Sequence, residues 1–164
     1  MSKKTVDTSI SIVAANVELD DTSGLPVVVQ ALDFERLKHK FTATSDAEMT
    51  PEEWYSTEHE YRRFLALKLF YPGISLIPSN DVDKLWHFHI LDTRAYREDC
   101  EKVFGRFIDH YPYFGIYGKE DYREQQIRFA LTVELYERHF GPYPKASTAL
   151  ANRWQDDACQ EVAP

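Results

Sequence analysis

The tightest local constraint in this chain is Thr50-Pro51-Glu52-Glu53. A threonine hydroxyl can accept from the amide three residues on, a glutamate there can reach back to the threonine amide, and proline suits the first helical position. The string therefore predicts a helix starting at Pro51. Trp54, Tyr61, Leu65 and Leu69 recur along one face of it, and Tyr71-Pro72-Gly73 ends it after Phe70, because proline and glycine do not continue a helix.

Helical periodicity recurs on both sides. Leu32, Phe34, Leu37 and Phe41 predict a helix over about Val28–Phe41. Ser79 or Asn80 can cap another, with Asp81 and Asp83 well placed in its first turn and Phe104-Gly105 at its end. A further helix spans about Asp121–Phe140 and stops at Gly141-Pro142, and a last one occupies Ser147 to about Cys159. Tyr111-Pro112-Tyr113-Phe114-Gly115-Ile116-Tyr117-Gly118 is too punctuated for a helix and reads as an ordered aromatic loop. The expected fold is all-α, a single compact domain of four to five helices over residues 25–164. It follows an N-terminal arm over residues 1–24 whose composition predicts partial disorder.

With 43% hydrophobic and 14% aromatic residues, a chain of 164 can bury a core without staples. The charge of −8 opposes binding to phosphate backbones, so nucleic acid is not an expected partner. Cys100 and Cys159 stand far apart with no CxxC, which predicts free thiols in a cytoplasmic setting. No apolar run spans a bilayer: Phe64–Phe70 is interrupted by Lys68, and no membrane association is expected.

Chemistry concentrates between residues 81 and 110. Val82, Leu85, Trp86, His89, Thr93, Tyr96, Cys100, Val103 and Phe104 project onto one broad face at about 100° per residue. His89, Tyr96 and Cys100 would then line one wall, as acid, base or orienting groups, or as a core histidine bonded to a tyrosine or carboxylate. His87 points roughly 200° away from His89, so one metal does not readily bind both. Asp83 and His87, four apart, are neighbours that can share a cation or form a solvated pair beside Arg94, Glu98 and Glu101. His110, just before the aromatic loop, can swing toward them. Glu58, in the middle of an apolar face, reads as a ligand, a partner to a histidine, a general base, or the edge of the buried stripe. His39, His59 and His139 lack evident partners and read as surface residues.

HExxH, GxSxG, GxGxxG and GxxxxGK[ST] are missing, as are the paired ExxH motifs of ferritin-like di-iron bundles. The stretch Val82-Asp83-Lys84-Leu85-Trp86-His87-Phe88-His89-Ile90-Leu91-Asp92-Thr93, with Tyr96, Asp99-Cys100, Phe104-Gly105 and His110-Tyr111-Pro112-Tyr113-Phe114-Gly115, resembles the glycine-rich domain-containing-protein-like family. The chain looks like a compact, bacterial-type member without the long glycine-rich tail of plant members. The resemblance implies a shared helical domain and shared site positions, with Asp109 standing where a histidine often precedes the one matched by His110. It implies no particular reaction.

Two functions follow. In the first, Asp83 and His87, joined by His110 or Glu58, hold a divalent zinc or iron ion in a metalloprotein or metal-dependent enzyme. In the second, the histidines are structural and the aromatic loop is a contact surface for a protein or peptide, since tyrosine and tryptophan favour interfaces.

Overall fold

A computed structural model describes residues 17–144, and the helix expected over Ser147–Cys159 lies outside them, as do residues 1–16 of the expected arm. The capping box forms as its residues require. Thr50 Oγ1 accepts from the Glu53 amide at 3.2 Å, and Glu53 Oε2 accepts from the Thr50 amide at 2.8 Å. Helix α3 (Pro51–Phe70) thus starts and stops where its sequence says, and becomes the central element.

Around α3 pack α1 (Val27–Gln30), α2 (Glu35–Ala43), α4 (Asn80–Leu91) and α6 (Lys119–Phe140), while α5 (Thr93–Phe104) follows α4 and also meets α1. Trp54, Tyr61, Ala66 and Leu67 of α3 are fully enclosed, and in its second half Phe64, Leu65 and Phe70 are buried as well, as suits a helix with neighbours on several sides. The Phe41 and Phe88 rings stack 3.6 Å apart, joining α2 to α4. Arg63 donates to the hydroxyl of Tyr136, joining α3 to α6. The described residues contain six helices and no strand, apart from one isolated bridge between Leu19 and Pro26, so the all-α expectation holds.

Two expected helices are each broken in two. The one over Val28–Phe41 stops after Gln30, and Arg62 donates to the carbonyls of Val29, Gln30 and Leu32 where the helix opens. The long helix from Ser79 to Gly105 breaks at Asp92, where ψ is 71° and the carboxylate caps α5 by accepting from the Ala95 amide. The aspartate offers the backbone a better local partner than the helix interior does. The break turns Thr93, projected onto the buried face, out to solvent, while Tyr96, Cys100 and Val103 remain buried. No helix among the described residues is long and apolar enough to cross a membrane.

Candidate metal centre

Ser79 caps α4, its Oγ accepting from the Val82 amide at 3.4 Å, and so sets the helical register one turn before Asp83. Asp83 and His87 then project side by side, with Asp83 Oδ2 and His87 Nδ1 3.6 Å apart. The third member arrives from the segment after α5. Gly105, at φ 64°, ends that helix in the left-handed conformation and turns the chain back toward α4. Trp86 Nε1 donates to Tyr96 Oη at 3.0 Å, and Tyr96 Oη donates to the Ile108 carbonyl at 2.7 Å, which anchors this returning strand of chain. Two residues on, the His110 ring rests edge-on against Trp86, 4.6 Å between centroids, with Nε2 2.9 Å from Asp83 Oδ1.

One donor atom from each of Asp83, His87 and His110 lies within 4.8 Å of the others, close enough for a single cation to be held between them. The burial is graded, His110 being 12% exposed and His87 47%. The cluster is therefore anchored on the protein side and open on the other. It opens into a cleft of about 360 Å³ whose wall includes Ile77, Trp86, Phe114 and Tyr122. Asp109 also borders the cleft but is not among the three clustered donors.

Lys68 lines the same cleft, a residue whose only sequence signal was that a lysine interrupts an apolar run. Burial, with Arg106 nearby, pushes its ammonium down to about 8.

The remaining candidates lie elsewhere. Glu58 is held by Arg62, 2.7 Å from Nη2, and accepts from Trp54 Nε1 at 2.8 Å. Its neighbours are thus a guanidinium and an indole rather than the histidines of the cluster. The signal for this was in the sequence, since glutamate and arginine four apart on a helix form a favoured pair. His89 is enclosed, with Nδ1 2.9 Å from Tyr61 Oη and Nε2 3.1 Å from Asp99 Oδ2. Asp99, overlooked as a chemical residue, completes this buried chain, and it borders with His89 a separate cleft between α5 and the start of α2. Burial pushes the Tyr96 hydroxyl and the Cys100 thiol up, and neither lines the cleft beside Asp83. His139 is not a plain surface residue, because its Nε2 lies 2.8 Å from Tyr71 Oη and its ring packs on Phe70.

Comparison with curated proteins and with solved structures found no match. A family model does match, described as UCP032817-like, over residues 27–145. That match overturns the membership read from the Trp86–His89 stretch, the glycine-rich domain-containing-protein-like family, and with it the family-based reading of Asp109 as a replaced ligand. The matched region runs from the first residue of α1 past the end of α6, enclosing every member of the Asp83 cluster, and the chain belongs to the UCP032817-like family.

Proposed function

We propose that the chain is a metal-binding protein in which Asp83, His87 and His110 hold one divalent ion, zinc or iron, at the base of the cleft. The observation that carries this reading is the convergence of three donor atoms within 4.8 Å from two separate segments. Two imidazoles and one carboxylate are the donor set of zinc sites that keep a fourth position for water, and of iron(II) sites that keep several positions for substrate. The open side of the cluster faces the cleft, which suits a metal-dependent enzyme that polarises bound water or a substrate carbonyl. Asp83 can orient both imidazoles before the ion arrives, as its contacts to His87 and His110 do in this structure.

Cobalt(II) titration of the metal-free protein tests this reading. A one-to-one endpoint supports the site, with intense visible absorption marking a zinc-like low coordination number and weak absorption an iron-like six-coordinate one, and no saturable uptake of cobalt contradicts it.

A second reading has its own observation. Tyr111, Tyr113 and Tyr117 are 56%, 48% and 72% exposed on the aromatic loop, which favours a peptide-contact surface. Replacing Tyr113 and Tyr117 by serine would then abolish partner capture while leaving cobalt binding intact.

A further inference from the structure

The wall of the cleft contains a cation, Lys68, that has no counterion among the described residues. Lys68 Nζ lies 5.1 Å from the centroid of the Trp86 ring and 5.5 Å from that of Phe64, and it makes no ion pair or hydrogen bond among the described residues. By contrast Arg62 and Arg63, on the same helix, each hold a glutamate. A secluded ammonium ordinarily has an anionic partner, and among the described residues Lys68 meets the aromatic faces of Trp86 and Phe64 instead. Trp86 is the shared wall, since the His110 ring packs against it as well. Lys68 and the Asp83 cluster therefore border one volume.

Charge selects the class of molecule that fits. Among the side chains that line the cleft, Asp83 with a divalent ion leaves one positive charge, Lys68 adds a second and Asp109 removes one, while Arg106, although near Lys68, is not part of the lining. A single negative charge balances what remains. Ile77, Pro78, Phe114 and Tyr122 supply apolar surface for the rest of the ligand.

We propose that the cleft binds a monoanionic carboxylate with an apolar body, the carboxylate lying between the metal ion on Asp83, His87 and His110 and the ammonium of Lys68. This rests on the metal reading above for one of its two contacts. Lys68 is a binding residue in this account, and its lowered affinity for a proton follows from burial and the nearby Arg106, a cost that a bound carboxylate would offset.

Benzoate, with inorganic phosphate as the comparison anion, is titrated by calorimetry into the full-length cobalt(II)-loaded protein, its Lys68→Met variant and its Lys68→Arg variant. Methionine fills a similar volume and removes a secluded charge, so Lys68→Met should melt no lower than the parent. The proposal expects benzoate to bind and to alter the cobalt spectrum. It expects Lys68→Met to keep its cobalt while losing benzoate affinity by about tenfold or more, and Lys68→Arg to retain most of it. Equal benzoate affinity in the parent and Lys68→Met overturns it, and so does tighter binding of phosphate than of benzoate. If the parent takes up no cobalt, the metal reading fails by itself. Benzoate is then titrated into the metal-free proteins, where loss of binding in Lys68→Met sustains the anion assignment and no difference between the two overturns it.

Discussion

The hydroxyl of Tyr96 donates to the Ile108 carbonyl at 2.7 Å, and this bond ties α5 to the segment that delivers His110. The same oxygen accepts from Trp86 Nε1, so one buried hydroxyl satisfies two buried groups. Tyr96→Phe leaves both unpaired and is expected to cost about 1–3 kcal/mol. Urea denaturation should show the loss. Metal affinity should fall too, because His110 loses its anchor, whereas an unchanged affinity would mean that the returning segment is held by Ile108 packing alone.

Arg62 joins three backbone carbonyls, the Glu58 carboxylate and the Phe34 ring, its guanidinium carbon lying 4.8 Å from that ring's centroid. Arg62→Met removes the partner of all of these groups. A loss of about 1.5–3 kcal/mol is expected, the scale for hydrogen bonds to charged groups. Glu58→Gln should destabilise less and leave metal content unaltered, measured on the same purified samples. Loss of metal in Glu58→Gln would restore that carboxylate as a ligand.

Asp99 provides a pH test. Burial raises its carboxyl, but hydrogen bonding to His89 and the nearby Lys102 outweigh this and hold it below the usual carboxylate range. A depressed folded value means that the contribution to stability is fully present above the unfolded value, about 3.9, and is lost as pH falls through the lower folded one. Thermal melts of the parent should therefore fall more steeply below about pH 4 than those of Asp99→Asn, which has no such proton to gain. Parallel curves would show that Asp99 does not carry this dependence.

The parts of the fold governed by local rules were legible in the sequence. The capping box, the Pro72-Gly73 stop and the Gly141-Pro142 end of α6 depend on residues within a few positions of each other, and they form where the spacing puts them, whereas α6 starts at Lys119, two residues before the expected Asp121. Asp83 and His87 were readable for the same reason, as a pair one helical turn apart. The break at Asp92 was not, because a continuous periodic pattern runs through it and the capping carboxylate only matters once the chain turns. Periodicity could not assign Glu58 a partner either, since it weighs burial and not the choice between Arg62 and a distant histidine. His110 required the fold itself. Its approach depends on Tyr96, Ile108 and Trp86 meeting in space, and Lys68 joins the same cleft from another helix.

The central claim is that Asp83, His87 and His110 together hold one ion, and elemental mass spectrometry tests it most directly. The comparison is between untagged full-length protein purified without chelator and its Asp83→Ala/His87→Ala variant. The account predicts near-stoichiometric zinc or iron in the parent and its loss in the variant, with little difference in melting temperature once both are stripped of metal, because both side chains are at least partly exposed. A folded parent that carries no metal, or a variant that keeps its full complement, would contradict it.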